Sequence, residues 1–406
     1  MSHPETTVIV GAGHAAGQVV AALLHHDYPG RIVLIGEEAY LPYQRPPLSK
    51  KFLAGEMPAE RLHFKAPELY DAPQIDVYLD CRIEGVDRGR KVVRAADGRE
   101  FRFDKLVLAL GASARRLAVP GAQLAGVHYL RSIDDVLAIR EDLGRGRHLT
   151  VIGGGYIGLE VAAVATTLNQ DVTVIEAAER VMSRVVSPQV SAFYEALHRR
   201  HGVNLVLNCG VSELTGTGRV EGVALTNGDH VRADTVVIGV GITPNTGLAE
   251  RAGLAVDNGI VVDERCRTAD ENIFAVGDCT FHPNALLGRS LRLESVHNAL
   301  EQAKTAAANL CGVDIHYEQI PWFWSDQYDV KLQIAGLSQG YDQVVMRGDP
   351  ESGSFSCLYL REGRLIAVDA INRPKDFIQS KALIAAGAQI PPDQLADPAV
   401  DLKNLA

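Results

Sequence analysis

Residues 6–17 of this chain read TTVIVGAGHAAG, and this stretch decides the fold. A short apolar run rich in β-branched residues leads into Gly11 and Gly13, and an apolar helical segment follows. A second apolar run, residues 32–35, is followed by the acidic residue Glu37. A strand, a glycine turn, a helix and a second strand, with an acidic residue about 20 residues past the glycines, are typical of a dinucleotide-binding βαβ unit.

Each position of this motif has a physical task. Gly11 permits the tight turn, and Gly13 lets the backbone approach a pyrophosphate at the helix N-terminus, where free N–H groups and the helix dipole favour anions. Ala16 takes the third glycine position. Glu37 can accept hydrogen bonds from ribose hydroxyls.

A second fingerprint occupies residues 149–158, LTVIGGGYIG, with Gly153, Gly155 and Gly158 at the motif positions. The following apolar strand, residues 171–175, ends at Glu176. A carboxylate there suits a free 2′-hydroxyl and repels a 2′-phosphate, which favours NADH over NADPH. Two such fingerprints in one chain predict a tightly bound flavin nucleotide in one site and a mobile nicotinamide nucleotide in the other.

A third segment, residues 272–278, reads NIFAVGD. An apolar strand that ends in Gly277 and Asp278 offers a carboxylate to a polyol chain such as the ribityl group of a flavin.

The composition narrows the possible functions. A chain of 406 residues suggests two or three domains. The net charge of −10 argues against nucleic acid as a partner, and no apolar run is long enough to span a membrane. The first five residues do not resemble a signal peptide, so a cytoplasmic location is expected. The six cysteines, at 81, 209, 266, 279, 311 and 357, form no close pair, which predicts inert thiols and no metal site.

Three further segments carry a family resemblance: LPYQRPPLSK at 41–50, ESVHNALEQA at 294–303 and PWFWSDQY at 321–328. With the two fingerprints and Gly277-Asp278, they resemble the flavoproteins with two dinucleotide-binding domains. Among these the chain is most similar to the NADH-dependent ferredoxin reductases of the putidaredoxin reductase type, which serve haem-thiolate monooxygenases and ring-hydroxylating dioxygenases. The resemblance covers essentially the whole chain.

The resemblance implies an α/β fold with two Rossmann-like dinucleotide-binding domains and a C-terminal α+β domain. The FAD-binding domain is expected at 1–110 and 242–318. The NAD-binding domain, 111–241, is inserted in it, and residues 319–406 form the C-terminal interface domain. The resemblance predicts a monomer or weak dimer that binds FAD non-covalently and uses NADH as co-substrate.

The resemblance also assigns site residues. The FAD contacts expected are Gly11, Gly13, Ala15, Ala16, Glu37, Arg45, Lys50, Ile83, Arg131, Asp278 and Val296. The NAD contacts expected are Gly153, Gly155, Ile157, Gly158, Glu176 and Gly241.

Three residues are expected to take part in the chemistry. NADH delivers a hydride to the flavin N5, and the protein supplies position and charge. Lys50 is predicted to be a fixed cation beside the flavin, and Glu160 is predicted to pair with it and to orient the carboxamide of NADH. Trp324 is expected near the flavin, on the face where an electron carrier docks.

The electron outlet is predicted from an absence in the sequence. Residues 38–55 contain no cysteine, which excludes the thiol outlets used by disulfide and peroxide reductases. One-electron transfer to a two-iron ferredoxin remains. Such ferredoxins are usually acidic, so docking on a chain of charge −10 requires a local patch, expected around Trp322, Trp324, Lys65 and Lys304, with Arg61 as a further candidate.

Two alternatives stay open. The same fold can reduce rubredoxin or act as an NADH oxidase or peroxidase. A redox-sensing flavoprotein without enzymatic activity is the second alternative, although such proteins usually add a targeting or basic segment.

Overall fold

The computed structural model describes residues 4–285 and 287–405, which fall into two compact units. The first unit comprises residues up to 44, 59–113 and 243–321. The second comprises 45–58, 114–242 and the residues from 322 onwards.

The secondary structure is mixed. The strands are β1 Thr6–Val10, β2 Arg31–Ile35, β3 Ile75–Tyr78, β4 Ile83–Asp87, β5 Val92–Ala95, β6 Glu100–Arg102, β7 Lys105–Leu108, β8 Ala112–Ala114, β9 Val127–Tyr129, β10 His148–Ile152, β11 Asp171–Ile175, β12 Asn204–Val206, β13 Val211–Thr215, β14 Gly222–Leu225, β15 His230–Arg232, β16 Thr235–Ile238, β17 Ile242–Pro244, β18 Ile260–Val261, β19 Ile273–Ala275, β20 Thr280–Asn284, β21 Arg289–Leu291, β22 Trp322–Gln327, β23 Val330–Gly336, β24 Gln343–Asp349, β25 Ser354–Arg361 and β26 Arg364–Ile371. The α-helices are α1 His14–His25, α2 Ile133–Leu143, α3 Tyr156–Thr167, α4 Pro188–Arg200, α5 Gly247–Arg251, α6 Val296–Leu310, α7 Pro374–Ala386 and α8 Pro392–Ala396. Short 3₁₀ helices lie at Pro46–Ser49, Ala59–Leu62, Pro67–Asp71, Pro350–Ser352 and Leu402–Leu405.

The first unit is built on a five-stranded parallel sheet with the order β19-β7-β1-β2-β3. The strands are almost wholly apolar because both faces of a parallel sheet are buried. On one face, Ile9 and Leu34 pack with Ala303 of α6 and with the apolar side of α1. On the other face, Val8 and Val10 pack with residues of α5 and of the small sheet β4-β5-β6.

The second unit holds a five-stranded parallel sheet with the order β12-β11-β10-β16-β9, and a separate antiparallel sheet with the order β22-β23-β26-β25-β24. Helix α7 packs against β23 and β26 of the antiparallel sheet. The predicted α/β class, with two Rossmann-like cores and a C-terminal sheet domain, is therefore confirmed.

The three-domain division at 110/111, 241/242 and 318/319 stays a prediction. Strands β8 and β17 lie at the two expected crossings between the FAD and NAD segments. The second unit contains the predicted NAD segment, the predicted C-terminal segment and, in addition, residues 45–58.

Across the described ranges, no helix is long and apolar enough to cross a membrane. The same ranges contain no group of three or more His, Cys, Asp or Glu side chains that could hold a metal ion.

Candidate dinucleotide sites and the Glu160 cluster

The turn after β1 is built for a glycine at one position and for close ligand approach at another. Gly11 has φ +111°, and a Cβ placed there would lie 2.2 Å from the carbonyl oxygen of Ala109. A Cβ on Gly13 would meet no protein atom within 4 Å. Gly11 is therefore required by the protein itself, whereas the open space beside Gly13 fits a pyrophosphate drawn close to the backbone.

Two other predicted segments converge on this turn within the first unit. Gly277 has φ +85°, and a Cβ placed there would lie 3.3 Å from Ala15 and 3.7 Å from Ala299. The half-buried Asp278 and the first turn of α6, which begins at Val296, are thus brought to the start of α1. This convergence fits a flavin nucleotide whose pyrophosphate lies at α1 and whose polyol lies at Asp278.

The remaining predicted residues of the first unit differ in role. Ala15 and Ala16 are buried, and Ala16 packs into the core between α1 and the sheet. Glu37 follows β2 with its side chain 69% exposed and 3.7 Å from Arg82, so its carboxylate is accessible to a ribose. Ile83 opens β4 and pairs with Ala95, which involves its backbone in a sheet.

The second fingerprint repeats the first turn. Gly153 has φ +108°, and its Cβ would lie 2.4 Å from the Gly239 carbonyl oxygen. A Cβ on Gly158 would lie 2.1 Å from the Gly153 carbonyl oxygen, while one on Gly155 would meet nothing within 4 Å. The open position is again the one that faces the expected pyrophosphate.

The acidic residue of the second fingerprint is held by the backbone. Glu176 accepts hydrogen bonds from the N–H of Gly154 at 2.7 Å and from the N–H of Ala178 at 2.8 Å. Ile157, in the first turn of α3, is 44% exposed, which leaves an apolar side chain available to a ligand. Gly241 has φ +108° and lies just before β17.

The helix starts at these two turns differ from those of α2, α4 and α6. The N-cap residues of α1 and α3 are Gly13 and Gly155, which provide no side-chain cap. The N-cap residues of α2, α4 and α6 are instead Ser132, Ser187 and Ser295, whose hydroxyls accept a hydrogen bond from a backbone N–H. A helix N-terminus without a side-chain cap can bind an anion such as a dinucleotide pyrophosphate.

The predicted ion pair between Lys50 and Glu160 is present, and it belongs to a larger cluster inside the second unit. Lys50 Nζ lies 2.8 Å from Glu160 Oε2, and Glu160 is only 1% exposed. Ser49 Oγ donates to Glu160 Oε2 at 2.5 Å, and Ser325 Oγ donates to Glu160 Oε1 at 2.7 Å. A buried carboxylate is stable only when it is paired and hydrogen-bonded, and this one has three partners from two distant chain segments.

Arg45 and Arg131 also meet in the second unit. Arg45 Nη1 donates to the Arg131 carbonyl oxygen at 2.6 Å, and Arg131 N–H donates to Asp135 Oδ2 at 2.9 Å. Arg45, Lys50 and Arg131, the cations predicted to contact the flavin, therefore belong to the second unit. The glycines predicted to contact it, Gly11 and Gly13, belong to the first unit.

Strand β22 divides its side chains between two faces. Phe323 packs on Tyr156 of α3, with ring centroids 4.7 Å apart, and Ser325 reaches Glu160 from the same face. Trp322 and Trp324 lie on the opposite face with centroids 5.5 Å apart, and both are half-buried. The period of two along this strand thus separates a polar support for Glu160 from an aromatic surface.

The cations predicted for docking have local partners. Lys65 lies over the Phe64 ring at 4.6 Å, Lys304 pairs with Glu301 at 2.6 Å, and Arg61 is exposed. Lys381, which the sequence reasoning missed, lies 4.7 Å from the centre of the Trp322 ring. Burial lowers the pKa of Lys381.

The cysteines are mostly buried, and their inertness stays a prediction. All six cysteines are free, and five of them are buried. Burial raises the pKa of Cys279 to about 11 and that of Cys357 to about 12. Because the thiolate is the reactive species, these groups offer no reactive thiol at neutral pH.

Sequence reasoning missed the side chains that support Glu160. Ser49 and Ser325 lie within the two segments already singled out, 41–50 and 321–328, and the alternation along β22 could have placed Ser325 and Gln327 on one face. No local signal marks His198, which reaches this cluster from α4.

Comparison with known proteins gives two family models. The model of the pyridine nucleotide-disulphide oxidoreductases matches residues 5–303, and that of the reductase C-terminal domain matches residues 322–406.

Individual relatives match over nearly the whole chain. The ferredoxin–NAD(+) reductase component of an anthranilate 1,2-dioxygenase system from Burkholderia cepacia is 45% identical over 401 residues, which is 98% of each chain. A rubredoxin–NAD(+) reductase from Pseudomonas putida is 42% identical over 369 residues, which is 91% of this chain and 96% of the relative. The crystal structure of the covalent putidaredoxin reductase–putidaredoxin complex matches with a TM-score of 0.96 at 42% identity, covering 100% of this chain and 98% of that one.

Proposed function

The chain belongs to the pyridine nucleotide-disulphide oxidoreductase family, and on that premise we propose that it is an FAD-dependent NADH:ferredoxin reductase. It takes electrons from NADH and passes them singly to a two-iron ferredoxin that serves a haem-thiolate monooxygenase or a ring-hydroxylating dioxygenase. The observation that carries the proposal is the ion pair of Lys50 with the buried carboxylate of Glu160, in a chain that has two glycine turns of dinucleotide-binding type and no cysteine in residues 38–55.

The FAD is held non-covalently. Gly11, Gly13 and the first turn of α1 hold its pyrophosphate, and Glu37 and Asp278 accept hydrogen bonds from its hydroxyls. The full set of FAD contacts comprises Gly11, Gly13, Ala15, Ala16, Glu37, Arg45, Lys50, Ile83, Arg131, Asp278 and Val296. The open space beside Gly13 and the accessible carboxylate of Glu37 support this assignment.

NADH is held by the second fingerprint. Gly155 leaves room for the pyrophosphate of NADH, and Ile157 packs against the nucleotide. Glu176 accepts a hydrogen bond from the adenosine ribose. Gly153, Gly158 and Gly241 complete the site by shaping the backbone around it. The fixed carboxylate of Glu176 excludes a 2′-phosphate through charge repulsion, so NADH is the preferred substrate.

Lys50 and Glu160 are the residues of the chemical step. When bound, the flavin supplies the redox chemistry, because its N5 accepts a hydride and the reduced ring releases electrons one at a time. Lys50 places a positive charge where the reduced ring gains negative charge. Glu160 fixes Lys50 and presents an acceptor that orients the nicotinamide carboxamide.

The electron outlet is the aromatic face of β22. Trp324 lies on the side of the strand that points away from Glu160, and Lys381 adds a cation over Trp322. Lys65 and Lys304 are the further docking cations proposed. Since an acidic carrier would be steered by local charge, its reduction should slow as salt is added.

Trp324→Ala tests this outlet. We expect reduction of the carrier to slow by about tenfold or more, while hydride transfer from NADH keeps its rate, because Trp324 lies on the face opposite Glu160. Stopped-flow absorbance at the flavin band and at the ferredoxin band measures the two steps separately. Equal losses in both steps would remove Trp324 from the outlet.

The activity itself is tested with purified, FAD-loaded protein. NADH should bleach the flavin rapidly, oxygen uptake should stay slow, and addition of a two-iron ferredoxin such as putidaredoxin should accelerate NADH consumption. NADPH should be a poor substrate. Fast oxygen uptake without a carrier would identify an oxidase, and a flavin that NADH cannot bleach would remove the reductase function.

Rubredoxin is the second candidate carrier, because a rubredoxin reductase is also 42% identical to this chain. The same assay with rubredoxin in place of the two-iron ferredoxin distinguishes them through kcat/KM. A higher value with rubredoxin would reassign the carrier while leaving the NADH and FAD assignments in place.

A further inference from the structure

A continuous chain of hydrogen bonds leads from Glu160 to the end of α4, entirely within the second unit. Ser325 Oγ donates to Glu160 Oε1 at 2.7 Å, and Gln327 Nε2 donates to Ser325 Oγ at 3.1 Å. His198 Nε2 lies 2.8 Å from Gln327 Oε1, and Tyr328 Oη lies 3.3 Å from His198 Nδ1. His198 is thus joined to the ion pair with Lys50 by three successive side-chain contacts.

Burial strengthens this series of hydrogen bonds. Glu160, Ser325, Gln327 and His198 are each at most 1% exposed. Water cannot compete for their polar atoms, and in a medium of low dielectric constant successive hydrogen bonds polarise one another. A defect at one end therefore affects the orientation of the group at the other end.

The chemistry of the members fixes the direction of every hydrogen bond. The carboxylate of Glu160 only accepts, so Ser325 must donate to it and must accept from the amide nitrogen of Gln327. The amide oxygen of Gln327 only accepts, so the proton of His198 must be on Nε2. Nδ1 of His198 is then free to accept from the Tyr328 hydroxyl.

The environment of His198 agrees with this direction. Burial lowers the pKa of His198 to about 4, although the hydrogen bond with Gln327 acts in the opposite sense. The imidazole is therefore neutral near pH 7 and carries one ring proton, as the chain requires. His201, which stacks on Tyr328 with ring centroids 3.7 Å apart, also disfavours a charge on His198.

We propose that His198, acting through Gln327 and Ser325, is a positioning residue that holds the Glu160 carboxylate toward Lys50. Ser325 donates to Oε1, whereas Lys50 and Ser49 contact Oε2, so the two oxygens have different partners and one rotamer of Glu160 is selected. Because His198 is 0% exposed, we expect it to act without touching substrate or cofactor. Its kinetic consequence rests on the proposed function, whereas its protonation and its coupling to Ser325 do not.

The first test is the protonation of His198. In protein labelled with ¹⁵N at histidine, His198 should give the shifts of a neutral ring protonated at Nε2 from pH 5 to pH 8. This measurement needs no turnover. A ring protonated at Nδ1, or at both nitrogens at pH 7, would reverse a hydrogen bond of the chain and overturn the proposal.

The second test uses a broken and a restored link. His198→Phe removes the donor, whereas the amide of His198→Gln reaches about the same point as Nε2 and still donates. We expect hydride transfer from NADH to fall about tenfold in His198→Phe, which is the order of one lost hydrogen bond, and to return to within about threefold in His198→Gln. His201→Phe is the matched control, because it keeps the stacking on Tyr328 and His201 is not a member of the hydrogen-bond series. This variant should keep the wild-type rate.

The third test breaks the series of hydrogen bonds at Ser325. If His198 acts through Ser325, His198→Phe should cost little more in a Ser325→Ala background, both in hydride transfer and in thermal stability. Additive losses in both measurements, or a His198→Gln variant as slow as His198→Phe, would overturn the proposal. If NADH does not reduce the enzyme at all, the reductase function fails, and the ¹⁵N shifts and the stability cycle still decide the role of His198.

Discussion

The two dinucleotide turns have the same backbone design, but their acidic residues are held differently. The side chain of Glu37, after the first turn, is 69% exposed and lies 3.7 Å from Arg82. Glu176, after the second turn, is fixed by two backbone N–H groups at 2.7 and 2.8 Å. A preorganised carboxylate loses little freedom when a ligand binds, which suits a nucleotide that binds and leaves in every turnover. A ligand that stays bound needs to fix an exposed carboxylate only once.

The largest expected effect breaks both turns at their open glycines. Gly13→Ala and Gly155→Ala place a Cβ where no protein atom lies within 4 Å, so each variant should fold normally. Each variant should bind its own ligand with an affinity lower by on the order of a thousandfold, or about 4 kcal/mol, because the methyl group occupies the place of the pyrophosphate. Gly13→Ala should purify without flavin, and Gly155→Ala should be yellow but unreactive with NADH.

Absorbance at the flavin band and anaerobic NADH titration measure these two losses. The matched controls are Gly11→Ala and Gly153→Ala, whose Cβ would lie 2.2 and 2.4 Å from a carbonyl oxygen. The controls should lower the melting temperature even without a ligand. A Gly13→Ala protein with full flavin content would show that the first turn does not hold the FAD pyrophosphate.

The next effect extends the contrast to acid stability. Burial lowers the pKa of His282 in the first unit, and of His198 in the second, from 6.5 to about 4. In the second unit a carboxyl group acts in the opposite sense to the histidine, because burial raises the pKa of Asp369 from 3.8 to about 7. As the pH falls from 6.5 to 4, the unfolded chain binds the histidine protons first, so each histidine costs stability. Over pH 7 to 4 the folded state binds the Asp369 proton first, so Asp369 adds stability.

Two substitutions separate these contributions. His282→Asn should remove about 3 kcal/mol of the stability lost between pH 6.5 and 4, and Asp369→Asn should deepen the acid loss by about 4 kcal/mol. Urea unfolding at a series of pH values measures the slopes. An acid slope that neither substitution changes would show that these groups titrate normally in the folded protein.

A smaller effect tests the preorganised carboxylate. Glu176→Gln replaces one acceptor by an amide that must face a backbone N–H, so we expect KM for NADH to rise about tenfold, or 1.4 kcal/mol, and the preference over NADPH to shrink. Steady-state kinetics with both nucleotides provide the measurement. An unchanged ratio of kcat/KM for NADH and NADPH would contradict the role given to Glu176.

The smallest effect is expected at the exposed counterpart. Glu37→Gln removes a charge whose only described ion pair is loose, so FAD retention should weaken by a few-fold, less than about 1 kcal/mol. The rate of flavin loss during dialysis measures it. A loss as large as that of Glu176→Gln would erase the difference between the two turns.

Local pattern predicted the local structure well. The β-branched runs at 6–10 and 171–175 became strands with the predicted bounds, because strand burial is encoded in adjacent residues. The Lys50–Glu160 pair was found through motifs, not through spacing, since the two residues are 110 positions apart.

The rest of the cluster could not be predicted in this way. Ser325 contacts Glu160 from 165 positions away in the sequence, and His198 contacts Gln327 from 129 positions away, and no periodicity encodes such contacts. The grouping of residues 45–58 with the second unit is non-local for the same reason.

The cluster around Glu160 also limits which substitutions the protein can tolerate during evolution. Ser49 and Lys50 are neighbours in the chain, but Ser325 belongs to the C-terminal sheet, and all three satisfy one buried carboxylate. A replacement at any one of them leaves a charged or polar atom without its partner in the interior. Among natural variants, substitutions at Ser49, Lys50 and Ser325 should therefore be correlated, although Ser325 is far from the other two in the sequence.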